Sequence, residues 1–222
     1  MRAYVFPVLM GVVGVAVLMS LGFWQLRRME EKRVYLDAIE ARIGNAPIPL
    51  PAVPEEGPHK FQAVIAEGQF TGQYLEVLAG QKDASPGVLV VEALALADGR
   101  RIMVQRGFIE DDLRRVPRPL REAKVEGNLH WPQDTNSFTP PPDAKTGLWF
   151  ARDVQAMATA LKTEPTLIVA RAPTGDGITP VPIDTSGIPN DHWGYAIQWF
   201  LLAATWAGMT LFLLWRIRTR KV

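Results

Sequence analysis

Charged residues drop out of this chain twice. Between positions 3 and 26, and again between 193 and 215, apolar and aromatic residues run on without a single charged side chain. At about 1.5 Å per helical residue, either run crosses the roughly 30 Å hydrocarbon layer of a bilayer. Both are therefore predicted to be transmembrane helices. The first is stopped by Arg27 and Arg28, but helix-forming residues with a mixed-charge face continue to position 43. The pattern predicts that this helix leaves the membrane intact and ends at Gly44, before a proline cluster at 47–58. The stretch Ser20, Leu21, Gly22, Phe23, Trp24 offers no small-x-small cleavage site, so the first run is expected to stay as an anchor.

Between the two runs the pattern changes to short alternating segments. Residues 61–70, 74–78, 87–96, 101–109, 124–129 and 166–171 are rich in β-branched and aromatic side chains and are separated by turn residues. Ala97, Asp98, Gly99 and Arg100 form the clearest hairpin tip, because Asp-Gly tolerates the positive φ angles of a tight turn. One helix interrupts the strands, at about 153–162, with Asp153 placed to cap it. Residues 132–147 and 172–189 are rich in proline and glycine and read as loops. The predicted fold class is a two-span membrane protein, with two transmembrane α-helices flanking a mainly antiparallel β (α+β) extramembrane domain that carries one short helix. The expected boundaries are transmembrane helix 1 at 1–26, a membrane-proximal helix and Pro-rich linker at 27–58, a β-rich domain at 59–190, transmembrane helix 2 at 191–215 and a basic tail at 216–222.

Charge decides the orientation only narrowly. Arg216, Arg218, Arg220 and Lys221 place the tail in the cytoplasm by the positive-inside rule. Arg27, Arg28, Lys32 and Arg33, which follow the first span, pull the other way against Arg2. Long domains translocate largely regardless of charge, so both termini are expected to be cytoplasmic and the central domain periplasmic. No Arg- and Ser-rich leader precedes the first span, which points to a bacterial inner membrane rather than an organelle.

Composition removes several classes of function. The 222 residues hold 24 Lys and Arg against 23 Asp and Glu, which gives no electrostatic footprint for nucleic acid. There is no cysteine, hence no disulfide, thiolate metal site or cysteine nucleophile. No phosphate-binding GxxxxGK[ST], dinucleotide GxGxxG, GxSxG elbow or HExxH is present. In the central domain His59 and His130 stand alone, and Asp111 and Asp112, adjacent near a strand end, read as a solvated turn. Nothing there assembles into the paired acid and base groups an enzyme needs.

The membrane edge is richer. The first span ends on the side of the bilayer where the second begins, so Gly22, Trp24, Gln25, Arg27 and Arg28 share a depth with His192, Tyr195 and Trp199. At 100° per residue His192, Tyr195, Ala196, Trp199, Ala203, Trp206 and Thr210 fall on one helical face. Imidazole is a metal ligand when neutral, and ionisable groups at a membrane edge are functional candidates. Interfacial anchoring by the aromatics, stop signals from the arginines and a solvated histidine would account for the same residues. Ala203 with Ala207, Ala204 with Gly208, and Ala16 with Ser20 have the four-residue spacing that lets membrane helices approach closely.

Two motifs carry a resemblance. Leu21, Gly22, Phe23, Trp24, Gln25, followed by Arg28 and Lys32, stands at the end of the first span. Asn190, His192, Tyr195, Ala196, Trp199 and Phe200 open the second. Between them lie Glu67, Gly68, Gln69, Phe70, the Asp98 and Gly99 hairpin, Arg106, Gly107, Phe108, and Glu126, Gly127. In this order the chain resembles the Surfeit locus protein 1 family of cytochrome c oxidase assembly factors, over nearly its whole length and most closely its bacterial members. It departs from the pattern at Glu31, where an aromatic is common, and at Trp193, where leucine is.

The resemblance implies a non-enzymatic assembly factor for haem-copper oxidases that acts as haem a enters the catalytic subunit. Membrane lipid, the cytochrome c oxidase catalytic subunit and a haem a synthase are the implied partners; the oligomeric state stays open. It further implies haem a as the bound group and His192 as its iron ligand. On that footing Tyr195, Trp199 and Trp24 are expected to flank the ring, Gln25 to line the site, and Arg27 or Arg28 to meet the propionates. A cofactor-free scaffold that steadies an oxidase subunit is the alternative expectation.

Overall fold

The computed structural model describes residues 2–78, 86–114, 117–186 and 188–219. It divides the chain into two compact units, one made of Met1–Ala38 with Thr185–Val222 and the other of Ile39–Asp184.

The first unit holds most of one long helix and the whole of a second. Helix α1 runs unbroken over Arg2–Gly44, so the predicted span and the membrane-proximal helix are one element, about 65 Å long at 1.5 Å per residue. The last helix, numbered α4 below in chain order, covers His192–Thr219. Both are long and apolar enough to cross a membrane. The tail residues Arg220 and Lys221 lie outside the described residues.

The second unit is a mixed sheet. Its strands are β1 (Ile48–Pro49), β2 (Ala63–Leu78), β3 (Gly87–Leu96), β4 (Arg101–Glu110), β5 (Arg121–Leu129), β6 (Leu148–Trp149) and β7 (Leu167–Ala170). Helices α2 (Glu56–His59) and α3 (Val154–Leu161) complete it. Antiparallel pairs β2 with β3, β3 with β4, β2 with β5 and β5 with β7 dominate, as predicted. The parallel pairs, β1 and β6 with β2 and β7 with β4, were not. Since β2 pairs with β3 along one edge and β5 along the other, the path β2, β3, β4, β7, β5 returns to β2. Five strands thereby close into a small barrel, which leaves none of them a free edge along the closure.

Packing on both faces leaves β4 buried along nearly its whole length. On β4, Ile102 and Val104 point into a core with Val64, Phe70, Leu94, Val125, Leu129 and Ile168. Met103, one residue out of phase, packs on the other face against Met157, Ala158 and Leu161 of α3. The Asp153 carboxylate caps α3 by accepting from the Ala156 N–H at 3.0 Å, as expected. The hairpin tip is also as expected, with Gly99 at φ 88° and the Leu96 N–H donating to the Arg100 carbonyl at 2.9 Å.

Two details differ from the sequence reading. The two strands predicted at 61–70 and 74–78 are one strand, β2, which begins at Ala63 and whose register shifts between Phe70 and Tyr74 around Gly72 at φ 71°. The Pro-rich linker holds β1 and α2, because the extended backbone at Ile48 and Pro49 lies parallel to β2.

Candidate functional site

Within the membrane unit α1 and α4 pack as an antiparallel pair. Glycine makes the approach possible: a Cβ on Gly11 would run into the Thr210 side chain, one on Gly14 into the Trp206 indole, and one on Gly22 into the Phe200 ring. Ala196 and Ala203 are the buried residues of α4. The Trp206 Nε1–H donates to the Met10 carbonyl at 3.3 Å, and Phe23 meets Phe200 edge-on with ring centroids 5.4 Å apart.

Only part of the close-approach prediction stands. Ala203 is in the seam and Ala207 is half-buried, whereas Ala204, Gly208, Ala16 and Ser20 are exposed. On a helix that is apolar all round, several small-residue stripes compete, and the seam is selected by the glycines of α1. The predicted face of α4 splits in the same way. Ala196 and Ala203 are buried, His192, Trp199 and Thr210 are half-buried, and Tyr195 and Trp206 are exposed beside them.

At the end of the pair where α4 starts, His192 Nδ1 lies 2.8 Å from Gln25 Oε1. Side chains 167 positions apart in sequence thus meet where the second apolar helix begins. Just beyond them the Lys32 ammonium donates to the Pro189 carbonyl, and Asn190 carries a buried side-chain oxygen with no hydrogen-bond partner. The chain entering α4 is therefore held at two levels of α1. Lys32, Pro189, Asn190 and Phe200 were missing from the predicted site; three of them stand in the two motifs, which was the available signal.

The other predicted site residues lie within about two helical turns of this contact along α1 or α4. Trp24 is 51 % exposed and Tyr195 54 %. Trp199 is half-buried, Arg27 is exposed, and Arg28 is engaged with Glu31 at 2.9 Å. The acidic departure at Glu31 thus partners a motif arginine.

The donor set limits what this site can hold. Among the described residues no three His, Asp or Glu side chains gather into a possible ion site. A lone imidazole with exposed aromatic rings nearby suits a metal that brings its own in-plane ligands, as a metalloporphyrin does, and not a bare ion. The seam of the pair is filled at Gly22 by the Phe200 ring, while Trp24 and Tyr195 are exposed.

The remaining histidines have structural surroundings. His59 Nδ1 accepts from the Glu55 N–H at 3.0 Å. His130 stacks on Phe61 at 5.4 Å, and burial, aided by the nearby Arg152 and Lys60 charges, pushes its imidazole down to about 4. Asp111 and Asp112 lie in a short 3-10 turn, where Asp111 pairs with Arg114 at 3.0 Å.

Fold and site together define a two-span membrane protein that carries a small barrel between its spans in sequence and joins a histidine of one helix to a glutamine of the other. The chain belongs to the SURF1 family, which it matches over residues 12–204. It is 31 % identical to a SURF1-like protein of Rickettsia prowazekii over 202 residues, covering 84 % of this chain and 81 % of that one. It is 29 % identical to a SURF1-like protein of Monosiga brevicollis, over 89 % of this chain and 83 % of the relative. To Surfeit locus protein 1 of Rattus norvegicus it is 27 % identical, over 85 % and 69 %.

Proposed function

We propose that the protein is a non-enzymatic assembly factor for haem-copper cytochrome c oxidase, which carries haem a towards the catalytic subunit with His192 as the iron ligand. One observation carries the reading: the motif histidine is held by the motif glutamine at the membrane edge, in a chain of this family. Trp24 and Tyr195 supply apolar surface for the ring, Trp199 backs it, and the exposed Arg27 is a cation within reach of a propionate's depth zone. Arg28 would first have to leave Glu31. A single imidazole suits a carrier, since cargo must also be released. The bilayer is the bacterial inner membrane, with both termini cytoplasmic, the barrel periplasmic, and a haem a synthase as the source of cargo.

The test is to purify the full chain from cells that make haem a and to record visible spectra of the protein and of His192→Ala. A coloured wild type and a variant that loses the haem band are expected. An unchanged spectrum and yield in His192→Ala would remove His192 as ligand, and a colourless wild type would favour a cofactor-free scaffold.

A further inference from the structure

The geometry points to Gln25 as the positioning residue that selects the tautomer of His192, keeping the proton on Nδ1 and leaving the Nε2 lone pair free to coordinate. For its functional consequence this rests on the haem reading above; the tautomer itself does not.

A neutral imidazole carries one proton, and which nitrogen holds it is set by the hydrogen bond the other groups impose. The atom facing His192 Nδ1 at 2.8 Å is the Gln25 carboxamide oxygen, which only accepts. Nδ1 must then donate, and Nε2 stays unprotonated. Gln25 comes from the neighbouring helix, so the same bond also sets the rotation of the ring about its own side chain. Both partners are also held by contacts other than their own. Gln25 lies three residues from Gly22, where Phe200 locks the seam, and the entry to α4 is tied by Lys32 to Pro189. Metal-ligating histidines generally carry such a partner on the second nitrogen, and losing it weakens binding by about 10–100-fold. Gln25 itself touches no cargo: it acts through His192. The contrary arrangement, with the carboxamide nitrogen turned to Nδ1, would put the proton on Nε2 and close the ligand position.

The experiment is 15N NMR of the full chain in detergent micelles, labelled at its three histidines, at a pH where the rings are neutral. The His192 signals are those lost in His192→Ala. The wild type is expected to show a protonated Nδ1 and a bare Nε2. In Gln25→Leu the proton should move largely to Nε2, while Gln25→Glu, whose carboxylate still accepts, should keep it on Nδ1. A wild type protonated on Nε2, or a Gln25→Leu protein with the wild-type pattern, overturns the assignment. Haem a titration then reads the consequence: a 10–100-fold loss of affinity in Gln25→Leu and near-wild-type affinity in Gln25→Glu are expected. If the wild type takes up no haem a, the functional reading falls and the NMR result still decides the role of Gln25.

Discussion

Arg106 and Glu92 face each other 2.7 Å apart on neighbouring strands, with their side chains 1 % and 0 % exposed. A register shift makes this possible: Val90 pairs with Gly107 and Val91 with Gln105, so Arg106 is the extra residue of a bulge. The bulge sends its guanidinium to Glu92, to Asp176 at 2.6 Å and to the Thr174 hydroxyl at 2.8 Å, over the Phe70 ring. Glu92 in turn accepts from the Gly72 N–H at 3.0 Å. The pair joins the bent part of β2, the bulge in β4 and the loop at 174–176.

Breaking this pair should cost far more than replacing it. Arg106→Met leaves a buried carboxylate without its partner and is expected to destabilise the barrel by about 3–5 kcal/mol. Combining it with Glu92→Leu should recover a substantial part of that loss. Thermal unfolding of the two variants in detergent, followed by circular dichroism, checks the order.

Gly107 should not accept a side chain. Its φ is 137°, and a Cβ would press on the backbone carbonyl of Thr179, the residue whose N–H and C=O both bond to Phe108. Gly107→Ala is expected to cost at least about 1–3 kcal/mol and to free the segment around Thr179. Faster amide exchange there than in the wild type is the confirming signal; an unchanged melting temperature would refute it.

The absence of native cysteine makes the helix seam directly testable. Gly11→Cys with Thr210→Cys should cross-link on mild oxidation, because a Cβ at Gly11 would meet the Thr210 side chain. Ala16→Cys with Ala204→Cys, both outward-facing, should stay reduced within one chain. Proteolysis in the barrel followed by a non-reducing gel shows whether the two ends remain joined.

His130 should make the barrel acid-sensitive. Its folded imidazole sits at about 4 against an unfolded value near 6.5, so between these values the unfolded chain binds more protons. Its contribution is complete above about pH 6.5 and is lost as pH falls towards 4. His130→Phe is expected to flatten the loss of stability in that window, as read from melting temperatures at pH 7, 6 and 5.

The long elements were legible because each followed from a repeated local property. The uncharged runs marked the spans, and the absence of helix breakers before Gly44 extended α1. What escaped depends on partners distant in the chain. The barrel closes through β2 bonding to β5, and no local pattern specifies a strand with two neighbours. The bulge at Arg106 looks like any charged residue in a strand until Glu92 and Asp176 are beside it. At the site, the two motifs marked the depth zone and its histidine, yet Gln25 stood there as one lining residue among several. Its place beside the imidazole follows from the packing of α1 on α4, which no local pattern specifies.

The contact between residues 25 and 192 also has a consequence in time. Translation delivers Gln25 early, and its partner only after the intervening 166 residues have been synthesised. Closing so long a loop is entropically slow until something brings its ends together. A nascent or truncated chain that lacks α4 therefore presents an anchor and a barrel but no assembled site. The Gln25–His192 pair therefore forms only after every strand of the barrel has been synthesised.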